Sequence, residues 1–203
     1  MMHRVRIGRR WTYCAYFSLF STAISAIEPG IAGDYDRVIL AEQKNYVTGV
    51  FSDCTAECKF SCIFFFEGER QGNPFSVTAR LLNSGGTIMG EATLTGKKLR
   101  LRLRELPDGC WNVEPEIHKS GAEVLQNSAE PWLQIRLTRR AANVAQRPNG
   151  KNAWQLSENE AVIVLQDRGA WLKIRKPSGD ARSGWVRQAD LQQLRIHGHD
   201  RYR

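Results

Sequence analysis

The chain has 203 residues, 42% of them hydrophobic and 25% charged. That composition suits one or two globular domains with cores of their own, and it excludes both wholesale disorder and a membrane bundle. The formal net charge is +8, but the basicity is unevenly spread.

The first ten residues, "MMHRVRIGRR", carry four arginines and no acid, and the apolar run "WTYCAYFSLFSTAISA" follows. Charged-then-apolar order ending in small residues predicts a secretory signal peptide over residues 1–26. Cleavage is expected after Ala26, with Ala32 as the competing position and an uncleaved anchor as the alternative. The apolar stretch is short for a membrane span. Cys14 follows Tyr13 rather than a small residue, so it does not fit a lipid-attachment cysteine. Removing residues 1–26 takes away four arginines and no acid, which lowers the net charge from +8 to +4. That charge is too modest to argue for a nucleic-acid partner. The predicted localisation is periplasmic or secreted, with no membrane span left after cleavage.

Residues 27–45 read as an N-terminal segment, and a cysteine-containing β-domain is predicted over 46–126. Its four cysteines, Cys54, Cys58, Cys62 and Cys110, are an even number, which in an oxidising compartment implies two disulfides. "KFSCIFFF" has strand chemistry, and residues four apart on a strand lie about 13 Å apart, too far for Cys58 to bond Cys62. The turn in "SDCTAEC" can join Cys54 to Cys58, leaving Cys62 for Cys110. A four-cysteine zinc site is the rival reading.

Period-two strands are predicted at "YVTGVF", "FSCIFFFEG", "FSVTARLL", "GTIMGEATLT", "KKLRLRLREL" and "CWNVEPEI", divided by "RQGNP", "NSGG", "TGKK" and "LPDG". In the fifth, Leu99, Leu101 and Leu103 face one way and Arg100, Arg102 and Arg104 the other. The arginine face is either an anion-binding surface or a solvated one. Phe64, Phe65 and Phe66 are expected in core, alternate members packing on the two faces of a covered sheet. Regular turn spacing implies an antiparallel meander, closed as a barrel or stacked as a sandwich.

"SAEPW" predicts a linker at 127–132. Beyond it, "ANVAQRPNG" contains Asn143, Val144 and Pro148, and "LSENEAVIVLQ" alternates Val162 and Val164 against Ile163 and Leu165. The stretch "GAWLKIRKPSGDARSGWV" then sets two tryptophans fourteen residues apart, in a Gly-x-Trp strand from Gly169 to Ile174, a Pro-and-Gly turn and a Gly-Trp-Val strand from Gly184 to Val186. Leu191 closes the series. These ordered landmarks, over residues 133–194, resemble the bacterial SH3 domain. The family's Arg, small residue and Gly after Asn-Val are replaced by Ala145, Gln146 and Arg147, which changes its first loop. The resemblance implies a small SH3-like β-barrel and a cell-wall setting. The ligand-binding candidates are Trp154, Trp171, Arg175, Trp185 and Arg187, since flat apolar rings beside cations suit a wall peptide or a glycan-linked stem.

No catalytic constellation is legible. His118, His197 and His199 are the histidines left after cleavage, and no HExxH helix occurs. Glu114 and Glu116 in "VEPEI" form a carboxylate pair expected on one strand face. His197 and His199 lie in a basic tail, 195–203. The sequence thus predicts an all-β chain, an antiparallel disulfide-containing meander followed by a small SH3-like barrel. It is expected to be a binding or adaptor protein without catalytic activity, cofactor or metal. Its expected partner is peptidoglycan or an envelope protein, with an inhibitor or immunity protein directed at a wall-degrading enzyme as the alternative.

Overall fold

The computed structural model describes residues 30–82, 84–177 and 182–194. The predicted signal peptide with Cys14, part of the "KPSGDARSG" turn, and the tail with His197 and His199 lie outside the described residues.

The chain is all-β. Eight antiparallel strands form a closed barrel in simple chain order: β1 (Gly33–Tyr35), β2 (Val38–Gln43), β3 (Tyr46–Thr55), β4 (Phe60–Glu69), β5 (Phe75–Leu81), β6 (Thr87–Thr95), β7 (Lys98–Leu103) and β8 (Ala122–Ala129). Closure comes from β1, which pairs with both β2 and β8. The barrel therefore starts in the stretch read as an N-terminal segment and ends in the stretch read as a linker. Both edges are paired, which removes the exposed strand edges an open sheet would leave.

Period-two alternation fills the interior. Leu99, Leu101 and Leu103 are buried while Arg100, Arg102 and Lys98 are exposed. Phe64 and Phe66 enter the core beside Phe51, with Phe51 and Phe64 stacked at 5.1 Å between ring centroids. Gly49 makes room for them: a Cβ there would lie 2.4 Å from the Phe66 ring.

"CWNVEPEI" is not a strand. Residues 104–121 form the β7–β8 connection, which holds a short 3-10 turn at Cys110–Asn112 and places Cys110 and Ile117 in the barrel core. Pro115 lacks the N–H a ladder needs, and Cys110 is tied to β4 instead. Cys54 and Cys58 lie at disulfide distance (S–S 2.05 Å), as do Cys62 and Cys110 (2.03 Å). Among the described residues no cluster of His, Cys, Asp and Glu is arranged to hold a metal, and no helix is long and apolar enough to cross a membrane.

The second sheet has six antiparallel strands: β9 (Gln134–Leu137), β10 (Ala142–Ala145), β11 (Asn152–Leu156), β12 (Ala161–Arg168), β13 (Trp171–Arg175) and β14 (Ser183–Arg187), in the order β11-β10-β14-β13-β12-β9. Val162 and Val164 of β12 join its own core with Val144, Leu172, Ile174 and Val186. Gly184 lies so close to Val144 that a Cβ would meet its Cγ1 at 2.4 Å. On the other face, Ile163 joins Ile135, Leu137 and Trp132 in a cluster with Ala41, Val50 and Phe65 from the outside of the barrel. Phe65 is thus the alternate member that packs outward. Buried polar contacts reinforce this junction: the Ile135 N–H donates to Thr48 Oγ1 at 2.7 Å, and Gln134 donates to Gln43 at 2.7 Å.

Candidate functional site

The strongest concentration of uncommitted chemistry lies on one face of the second sheet. Gly169 adopts the left-handed backbone (φ 67°) in the turn between β12 and β13, and this tight hairpin sets Arg168 opposite Trp171. From that register the outward positions follow. Arg168, Trp171 and Arg187 form one row across β12, β13 and β14, followed by Gln166, Lys173 and Trp185, then Ile163, Arg175 and Ser183. These nine positions hold four cations, two tryptophans and no acid.

The third row is partly occupied. Ile163 packs on the barrel, and the Arg175 guanidinium lies 5.4 Å from the centroid of buried Trp132. The other two rows lie away from that junction. Arg187 lies 5.4 Å above Trp171, and Arg168 lies 4.8 Å above Trp185. Trp185 is only 7% exposed, whereas Arg168 and Arg187 are exposed. Among the described residues neither arginine, nor Lys173, meets a carboxylate.

The barrel treats its cations differently. Lys98 and Arg100 both reach Glu123 (2.7 and 3.2 Å), and Arg102 reaches Glu91 at 3.6 Å. Those partners hold the Glu123 carboxyl below its usual range. The arginine face of β7 is therefore matched by cross-strand acids.

Of the five ligand candidates drawn from sequence, the sheet gathers Trp171, Trp185 and Arg187. Arg175 shares their face but lies at the barrel junction. Trp154 does not join them: it pairs with Val144 in register, packs against the sheet's own core and is covered by Lys176 at 5.3 Å. Arg168 was missed. Its signal was its position just before the turn glycine, where hairpin register places it beside Trp171. A polar cleft of about 610 Å³ adjoins Trp171 and Arg187, lined by Asn143, Asn149 and Asn152 and by Arg140 and Asp190, which pair at 2.7 Å.

A second feature lies at the end of the barrel where β3 meets β4. Trp111 is 63% exposed and meets Phe60, 45% exposed, edge-on at 6.5 Å. The Cys62–Cys110 bond sits beneath this pair, and Cys54–Cys58 closes the adjoining turn, where Ala56, Glu57 and Cys58 have left-handed backbone. The nearby carboxylates are engaged structurally and do not share a strand face. Glu114 pairs with Arg37, which also holds Asp53 at 3.0 Å, while Glu116 pairs with Lys119 at 3.2 Å. His118 follows in the same turn region, with a buried Nδ1 that meets no hydrogen-bond partner among the described residues.

No protein-family model, no curated protein and no solved structure matches this chain.

Proposed function

We propose that this protein is a non-catalytic, exported binding or adaptor module of the bacterial envelope, whose second sheet is SH3-like and binds peptidoglycan or a cell-wall peptide. The observation that carries this reading is the set of nine outward positions bearing Trp171, Trp185 and their overlying arginines and no acid, beside a polar cleft lined by three asparagines and the Arg140–Asp190 ion pair. Tryptophan faces suit sugar rings and apolar stems, amides suit acetamido and peptide groups, and cations suit acidic termini. Two pairs of cysteines at disulfide distance agree with an oxidising compartment. The test is sedimentation of the mature protein with purified sacculi, alongside an unrelated protein of equal net charge. Excess pelleting that W171A reduces in a folded variant supports the reading, and pelleting equal to the control removes it.

The exposed Phe60–Trp111 pair favours a second reading, in which the barrel inhibits a wall-degrading enzyme. A large aromatic side chain held on a cross-linked scaffold loses little entropy on docking into a cleft. Here the expected result is a stoichiometric complex with one member of a panel of purified lysozymes and amidases, lost in W111A. No inhibition across the panel counts against it.

A further inference from the structure

We infer that the second-sheet face takes ligands carrying carboxylates, bound by Arg168 over the Trp185 ring and by Arg187 over the Trp171 ring. This deepens the wall-binding proposal and rests on it for the source of the ligand. Arg168, Trp171 and Arg187 are successive neighbours across three strands. With adjacent strands about 4.8 Å apart, the two arginine backbones stand about 10 Å apart, and both side chains reach back over the sheet, Arg168 to Trp185 on β14 and Arg187 to Trp171 on β13.

Each guanidinium lies over a tryptophan rather than against a carboxylate or a carbonyl. A guanidinium set over a ring keeps N–H donors to offer an acceptor from solution. A planar carboxylate bonds in the guanidinium plane through two parallel hydrogen bonds, so the arginine accepts it without leaving its ring. Lys173 in the next row extends the positive field, and none of the nine described positions across β12, β13 and β14 holds an acid.

The experiment uses three preparations of sacculi: untreated, stripped of phosphate polymers with hydrofluoric acid, and amidated at their carboxyl groups with carbodiimide. The expected result is pelleting that survives acid stripping and is lost on amidation. In parallel, tryptophan fluorescence follows titration with soluble poly-glutamate. R168Q and R187Q are each expected to bind about tenfold more weakly, and the double variant about a hundredfold. Both arginines are exposed, so these variants keep the fold.

Amidated sacculi that pellet as well as untreated ones, or stripping that abolishes pelleting, overturns carboxylate selection while leaving the wall-binding proposal intact. Poly-glutamate binding untouched in R168Q/R187Q also overturns it, as does full affinity in R168K/R187K, which keeps the charge and removes the fork. Conversely, arginine-dependent poly-glutamate binding with no pelleting of untreated sacculi sustains the carboxylate site and removes the wall as its source.

Discussion

Arg168 of β12 lies 4.8 Å from the centroid of the Trp185 ring on β14, reaching across β13. An exposed arginine thus helps cover a tryptophan that is otherwise part of an outward-facing strand position. R168A is expected to raise acrylamide quenching of the Trp185 emission, with W185F as the reference. Its stability loss should be small, about 0.5–1 kcal/mol, the usual worth of an exposed cation–π contact. Unchanged quenching would mean that the arginine does not shield the ring.

Phe65 couples the barrel to the second sheet. It is buried against Ile135, Leu137 and Trp132, with Arg80 stacked on its ring at 5.6 Å. F65A is expected to cost about 3–5 kcal/mol. Because the lost contact lies between the two sheets, thermal unfolding should also split into two transitions in calorimetry, where the parent protein shows one.

The two cysteine pairs should contribute unequally. Cys62–Cys110 spans a sequence separation of 48 and Cys54–Cys58 a separation of 4. In the chain-entropy description the first restrains the unfolded chain by about 4 kcal/mol and the second by about 2 kcal/mol. Urea midpoints of C62S/C110S and C54S/C58S test this order.

Alkaline pH should destabilise the barrel through its buried tyrosines. Burial, with a smaller contribution from Glu42, pushes the Tyr35 hydroxyl up to about 12 from an ordinary 10.0. Burial and the Glu67 carboxylate, 2.9 Å from its Oη, also raise Tyr46. A hydroxyl whose pKa rises on folding contributes stability that is fully present below the unfolded value. That stability is lost as pH climbs from about 10 towards the folded value. Urea midpoints should therefore fall between pH 10 and pH 12, and Y35F should flatten part of that decline.

Gly184 is expected to resist substitution. G184A brings a methyl into Val144 and within 3.0 Å of the Ala145 carbonyl oxygen. Overpacking of this kind costs about 1–3 kcal/mol. A thermal midpoint equal to the parent would show that β10 yields.

Much of this architecture is legible in the chain. Leu99, Leu101 and Leu103 against their arginines announce a half-buried strand, and the strand chemistry that begins at Phe60 argues against a bond between Cys58 and Cys62, four positions apart. Residues 33–43 and 122–129, which complete the barrel, were harder to read. "AEVLQNSA" buries only Ala122 and Val124, too sparse an alternation to declare a strand. "CWNVEPEI" misleads in the other direction, because its apolar spacing imitates a strand while Cys110 and Ile117 are buried from a turn.

By itself, then, the sequence determined the all-β character and the alternation of Leu99, Leu101 and Leu103 against their arginines, and it favoured one cysteine pairing over its rivals. These depend on near neighbours: side chains alternate along any strand, and a turn fixes what lies across a hairpin. Only tertiary structure decided that the barrel closes through β1 and β8, that Phe65 faces the second sheet, and that Trp154 stands apart from Trp171. Each of these joins residues distant in the chain, where the outcome depends on how whole sheets bury their apolar faces rather than on local pattern. The same holds for the charges. Arg100 and Arg187 look alike in sequence, and only the strand beside each one supplies a glutamate to the first and a tryptophan to the second.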